Sequence, residues 1–255
     1  MKVISTVLTA CLVLVSAKAF SWSKQGHKII VEIAKSHLDR HIIEQVDHYL
    51  DGMSWEEAAC WMDEMHDVKQ YAYMKPWHYV NIEKDKTYVR TKEEDVIAKL
   101  EFCFRMLQYK SIQPKETMTE TLKILFHLMA DVHQPLHCGY ASDKGGNLIK
   151  VKFNDRDSNL HKVWDSEIIE AKKIDIWACT KTLVGMNLSA KKKTELEKPD
   201  VMAWVNECRT LLPEVYKVND GKIDQAYIDK NAKLIEKQLA IAGLRLAAVL
   251  KQVFK

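Results

Sequence analysis

The stretch from Phe126 to Asp165 sets the terms for the rest of this chain. It opens Phe126-His127-Leu128-Met129-Ala130-Asp131 and continues Val132-His133-Gln134-Pro135-Leu136-His137. After Gly145-Gly146-Asn147 and a short alternating run it reaches Asn159-Leu160-His161-Lys162-Val163-Trp164-Asp165. His127 precedes Asp131 by four residues, and His161 precedes Asp165 by four. On a helix that spacing puts both side chains on one face, one turn apart. Pro135 stops or bends the first helix just past its aspartate, so His137 follows on irregular backbone. A single such pair is ordinarily a surface helix pair of small energy. Two pairs among Ile124, Leu125, Phe126, Leu128, Met129, Leu160, Val163 and Trp164 are different. Polar groups in apolar surroundings are costly unless satisfied, and a metal ion satisfies them. Imidazole and carboxylate together suit zinc better than calcium or magnesium, which prefer all-oxygen shells.

A chain of 255 residues with 47% hydrophobic content can build one sizeable core. Its 8 glycines and 5 prolines suit a helical protein better than a many-stranded sandwich. The first 21 residues read as a secretory signal: Lys2, an apolar run from Val3 to Val15, then the small-residue tail Ser16-Ala17-Lys18-Ala19-Phe20-Ser21. Ala17/Ala19 favours a cut before Phe20, and Ala19/Ser21 favours one before Trp22. The apolar run is short for a membrane anchor. Without the signal the net charge falls from +3 to +1, because Lys2 and Lys18 leave and no acid does. A near-neutral chain is no bulk electrostatic binder of nucleic acid, so affinity for phosphate has to be local. Cys60, Cys103, Cys138, Cys179 and Cys208 stay in the mature chain. Secretion favours disulfides, and an odd count leaves at least one thiol free. Cys138, beside His137, is expected to be a free thiol rather than a soft zinc ligand. Asn187-Leu188-Ser189 is a glycosylation acceptor.

Hydrophobic spacing predicts a helix over 22–50, ended by Asp51-Gly52, and a shorter one over 55–65. Residues 75–81 are expected to be extended, because Pro76 biases Lys75 away from helix. Helices are expected over 92–109 and 119–132, divided by Pro114, and a strand over 147–153 that turns back at 154–157. A helix within 199–216 carries Trp204, and a long helix covers 223–254. The second half of that last helix is apolar nearly all round apart from Arg245, which marks burial in a bundle, and Gly243 allows close helix approach.

His37, His41 and His48 lie on a charged helix and read as solvated. His27, His78, His127, His137 and His161 stand beside Gly, Pro-Trp or apolar neighbours. With Asp63, Asp131 and Asp165 they can bind more than one metal ion. The motifs run along nearly the whole mature chain: Trp22-Ser23-Lys24-Gln25-Gly26-His27, Trp61-Met62-Asp63, Pro76-Trp77-His78-Tyr79-Val80-Asn81, His127 to His137, Gly145-Gly146-Asn147, Asn159 to Asp165, and Gln238 to Ala247. In order and spacing they resemble the S1/P1 nucleases, secreted zinc enzymes that share a fold with bacterial zinc phospholipase C.

The resemblance implies a mostly α, single-domain helical bundle over 22–255 with one short β-hairpin and three zinc ions in a cleft. Carried over by position, Asp63, His78, His127 and Asp131 hold one ion. Trp22 and His27 hold a second, with Asp131 bridging. His137, His161 and Asp165 hold the third. In the family the mature N-terminal residue binds through its α-amino nitrogen and carbonyl, which places the cut at Ser21/Trp22 and makes signal removal a condition for activity. The bland alternative for Trp22 is a buried aromatic. Tyr79 corresponds to a residue on which a base stacks and Asn81 to one that meets the base edge; stacking requires an unstacked base, hence single strands. The alternative for Tyr79 is a packed aromatic. Lys144, Lys150, Lys152 and Lys162 lie in the intervening segment, where they can meet phosphate or, as lysines on a strand ordinarily are, be solvated. One departure stands out: His66 occupies a position where many relatives carry an arginine that stabilises the transition state. A histidine gains charge in acid, so lower activity at neutral pH, or an acidic optimum, is expected.

The expected function is a secreted, monomeric zinc endonuclease on single-stranded DNA and RNA, located outside the cell or in the lumen of the secretory/endolysosomal pathway. It yields 5′-nucleotides, uses Asp131 to orient water and also acts on 3′-nucleotides, without a membrane anchor. A phospholipase C-like phosphodiesterase and a secreted zinc-binding protein with weakened catalysis are the competing readings.

Overall fold

The structure is a computed structural model and describes residues 22–255; the signal-peptide expectation lies outside them. The first segment forms two helices, α1 (Lys24–Ser36) and α2 (Arg40–Leu50), not one. The Ser36 hydroxyl donates to the Ile33 carbonyl at 2.8 Å and the His37 ring meets the same oxygen at 2.9 Å, so side chains close the last turn of α1. Asp39 is then extended (φ −71, ψ 151) and the helix restarts. Apolar spacing continues across this break, which is why periodicity alone runs the two together. Asp51 in the left-handed region (φ 54) and Gly52 (φ 87) end α2. A reciprocal Ser54/Glu57 capping box starts α3 (Trp55–Glu64).

Residues 69–78 are a 3₁₀ helix, Lys69–His78, where sequence predicts extended backbone for the 75–78 part. Three-residue turns stack Met74 over Trp77 on the buried side. The chain becomes extended only at Tyr79 (φ −148, ψ 166). Asp95 caps α4 (Val96–Gln108) by accepting from the Ala98 amide at 2.9 Å, so this helix starts later than apolar spacing suggests. Pro114 precedes α5 (Lys115–Asp131), which starts earlier than expected.

Strands β1 (Lys150–Phe153) and β2 (Arg156–Asn159) form the expected hairpin, with Lys150 opposite Asn159 and Phe153 opposite Arg156. Asn154 (φ 49) and Asp155 (φ 60) supply its two-residue turn. The short β3 (Lys222–Ile223) adds to β1 in parallel, a strand that sequence reading missed. Helix α6 (Leu160–Lys162) runs through a π turn (Val163–Glu167) into α7 (Ile168–Lys172). There follow α8 (Ile176–Gly185), α9 (Ala190–Leu196), α10 (Val201–Val215) and α11 (Gln225–Val253).

The mostly α architecture is the one expected. Helix α5 packs on α3 and α4, and α11 packs on α1 and α8. Every residue from Leu239 to Leu250 is buried, Arg245 included. Arg245 meets the Glu207 carboxylate at 2.5 Å, the Leu196 carbonyl at 3.2 Å and His133 Nε2 at 2.9 Å. A Cβ on Gly243 would lie 2.6 Å from Ile33 Cγ2, so α11 and α1 meet as closely as the glycine permits. Among the described residues no helix is long and apolar enough to cross a membrane. All five described cysteines are buried free thiols, which corrects the expectation of disulfides; Cys138 is free as expected. Cys138 and Cys208 both point at the Val132 carbonyl, at 3.6 and 3.2 Å, inside the core, where side-chain packing has no need of a crosslink.

Candidate metal centre

Five elements converge on one end of α5. His27 comes from α1, Asp63 from the last turn of α3, and His78 from the end of the 3₁₀ helix. His127 and Asp131 occupy the last turns of α5. His137 sits in a 3₁₀ turn opened by Pro135, Pro135–Cys138, and His161 and Asp165 follow the hairpin. Both four-residue pairs face each other as predicted: His127 Nε2 is 3.2 Å from Asp131 Oδ2, and His161 Nε2 is 3.2 Å from Asp165 Oδ2.

Three groups of ligand-type atoms lie within 4.8 Å of one another: His27, Asp63 and His127; His78, His127 and Asp131; and His137, His161 and Asp165. The third group is the set implied by the resemblance. The first two share His127, and Asp131 ties them together: its carboxylate is 3.0 Å from His78 Nδ1 and 3.7 Å from His27 Nε2. The rings of His27 and His127 stack with centroids 4.1 Å apart, those of His137 and His161 with centroids 5.0 Å apart.

Backbone carbonyls set which ring nitrogen faces the centre. Nδ1 of His127, His137 and His161 meets the carbonyls of Ala59 (2.7 Å), His78 (2.8 Å) and Gly145 (2.6 Å). A carbonyl can only accept, so Nδ1 carries a proton and Nε2 is the ring atom turned to the centre, where a metal ion would take the place of any second proton. Gln134 donates to Asp165 Oδ1 at 2.6 Å while its own oxygen accepts from the Leu136 amide at 2.6 Å.

The electrostatics favour a cation. Burial and neighbouring His127 push His27 down to about 3, and burial also lowers His78 and His161. Burial acts the same way on His127 and His137, but Asp131, with Asp63 or Asp165, carries each up to about 9. Burial alone would raise Asp131, yet His127 and His137 hold it well below the carboxylate range. A buried carboxylate here stays ionised only through its cationic neighbours. Asp131 Oδ1 and His137 Nε2 are buried without a hydrogen-bond partner, and such atoms are costly unless a ligand takes them up. The donor set therefore fits metal ions, and its nitrogen-plus-carboxylate chemistry fits zinc.

Trp22 is fully buried, and its indole donates to the Ala130 carbonyl at 3.0 Å. The next amide, of Ser23, donates to the Asp165 carbonyl at 2.7 Å. Tyr79 is 41% exposed, more than a packed aromatic would be. It shares a cleft of about 480 Å³ with Asn81, His66 and the ligands Asp63, His78, His137 and His161. His66 Nδ1 is 3.0 Å from Asp67 Oδ1. Asn187 is exposed, in the loop between α8 and α9. The cleft also contains Lys75, Lys144 and Asn147. Sequence reading missed Lys75 because it placed that residue on an extended segment, and it left Lys144 between contact with phosphate and ordinary solvation, favouring the second. The Gly145-Gly146-Asn147 turn was the one signal available. Lys152 and Lys162 pair with Asp157 and Glu167 at 2.6 and 3.4 Å and do not enter the cleft.

A helical bundle that gathers histidines and aspartates from α5 and five elements around it at one cleft defines a class: α proteins organised around a candidate multinuclear metal centre. The S1/P1 nuclease family model matches residues 22–255, and the chain belongs to that family. Endonuclease 2 of Arabidopsis thaliana is 30% identical over 99% of this chain and 97% of that protein. Nuclease S1 of Aspergillus oryzae is 23% identical over 94% of each. Nuclease P1 of Penicillium citrinum is 29% identical over 54% of this chain and 59% of its own length.

Proposed function

We propose that this chain is a secreted, zinc-dependent endonuclease that cuts single-stranded DNA and RNA to 5′-nucleotides and removes phosphate from 3′-nucleotides. The observation that carries this reading is the set of three His/Asp groups, the ligand atoms of each within 4.8 Å of one another, at a cleft beside a half-exposed tyrosine. His27, Asp63, His78, His127 and Asp131 would hold two ions, with the Trp22 α-amino group completing one set after removal of residues 1–21. His137, His161 and Asp165 would hold a third.

When bound, zinc supplies Lewis acidity and positive charge against a phosphodiester. The chain's own residues do the rest. Tyr79 offers its face to an unpaired base and Asn81 its amide to the base edge, which sets the adjoining 3′-phosphate over the ligand cluster. Asp131, central to that cluster, orients the attacking water. The oxygen of water joins phosphorus, the bond from phosphorus to the 3′ oxygen breaks, and the 3′ oxygen leaves with a proton. His66, beside Asp67 on the cleft wall, stands where it can meet the phosphate. Asn187 would carry a glycan, on a loop where sugar does not meet the cleft.

The test is zinc content and cleavage of single-stranded DNA by the secreted, processed protein at pH 5 and 7.5, with a chelator added and then back-titrated with zinc. Three zinc ions per chain with chelator-reversible cleavage is the expected result. Fewer than two would overturn the ligand assignment, and three without cleavage would overturn the activity. His66→Arg is expected to raise the rate at pH 7.5 relative to pH 5; an unchanged ratio removes His66 from the mechanism.

A further inference from the structure

The cleft holds two lysines that the chemistry above does not use. Lys75 stands on its wall in the 3₁₀ helix just before Tyr79, and Lys144 in the loop before Gly145. Neither makes an ion pair among the described residues, and of the described residues lining the cleft Asp63 is the one carboxylate. Lys144 is held in place by its backbone. It adopts φ 55 as the cap of a short turn, and the next residue, Gly145, gives its carbonyl to His161 at 2.6 Å. A Cβ on Gly145 would lie 3.5 Å from Asn81 Oδ1, so the loop bearing Lys144 abuts Asn81. Both lysines thus line the same cleft as Tyr79 and Asn81.

The other face of the platform has opposite character. A second cavity of about 490 Å³ shares Tyr79 and Asn81 and is lined by Glu83, Glu93, Glu94 and Asp95 against Lys86 alone. Phosphates are repelled there and attracted on the lysine side.

From this arrangement we infer that Lys75 and Lys144 form a subsite for the non-scissile phosphates of a strand, which makes this chain favour polynucleotides over 3′-mononucleotides. The inference rests on the nuclease reading but concerns binding, so the two can fail separately. A mononucleotide presents only the phosphate that reaches the ligand cluster. A strand presents further phosphates beyond that one, within reach of a cleft that Lys75 and Lys144 line.

The experiment uses the secreted, processed, zinc-loaded protein and a short fluorescein-labelled oligothymidylate with cleavage-resistant phosphorothioate linkages. Its affinity is measured by anisotropy across a salt series for the wild type, Lys75→Ala, Lys144→Ala and the corresponding arginine variants. Each alanine variant should make the slope of log affinity against log salt shallower by about 0.7, the value for one phosphate contact on a single strand. Arginine should restore it. In parallel, KM for a cleavable strand should rise about tenfold more than KM for a 3′-mononucleotide. An unchanged slope, or equal losses on both substrates, overturns the subsite. Lysine-dependent binding by a wild type that hydrolyses neither substrate supports the subsite and overturns the nuclease reading.

Discussion

Gln134 is no proposed ligand, yet it joins two ligands of one group. Its amide nitrogen holds Asp165 and its oxygen holds the turn that carries His137. Gln134→Leu keeps the volume and removes both bonds. Loss of such an outer partner typically weakens metal binding about 10- to 100-fold, and competition with a chromogenic zinc chelator should show that loss at one site only. His133 behaves differently from its neighbours. Burial and the adjacent Arg245 hold its imidazole well below the ordinary range. The unfolded chain takes up that proton below a pH of about 6.5, and the folded chain does not. Its contribution to stability is therefore complete above about pH 6.5 and declines as the pH falls, by at most about 1.4 kcal/mol per unit. His133→Gln keeps an acceptor for Arg245 and should flatten the acid side of the stability curve by up to that slope. Identical slopes in urea titrations between about pH 5 and 6.5 would show that another group is responsible.

At the scale of the element, close contacts connect packing to ligation. Helix α1 carries His27, whose ring stacks on His127 of α5, and it meets α11 where Gly243 lies against Ile33. Gly243→Ala forces the helices apart at a cost of about 1–3 kcal/mol. The variant should melt earlier and lose zinc first from the group containing His27. Gly145→Ala is more severe: φ is +60, and the new Cβ would lie 2.2 Å from the Leu136 carbonyl. That loop accepts from His161, so the group it belongs to should fail even where the fold survives, as zinc titration would report. The elements also show what the sequence made legible. The pairs His127/Asp131 and His161/Asp165 were readable because helical spacing brings each together within one segment. His27, Asp63 and His78 come from three separate elements, and only the likeness to a known family linked them. The break after Ser36 was hidden because two side chains end the helix without interrupting the apolar pattern. Lys75 was hidden because a 3₁₀ segment containing proline leaves no periodic signature, and its place on the cleft depends on that turn.

Considered whole, the molecule spends its core on holding buried charge. Asp131, Asp165 and five imidazoles from His27 to His161 are nearly sealed from solvent at the junction of the helices. Metal bound there but not to the unfolded chain stabilises by mass action. Chelation should therefore lower the melting temperature of the processed protein, and restoring zinc should recover it; a melting temperature indifferent to chelator would mean that the histidines and aspartates satisfy one another. The 29-residue α11 contributes no ligand, yet it backs α1 and α8 and fills the interior along its second half. The ribosome adds this helix after every proposed ligand has already emerged. A nascent chain halted before Leu239 would own all the residues of the centre and lack the wall against which they assemble. Assembly of the centre thus waits on α11, a helix that gives it no ligand.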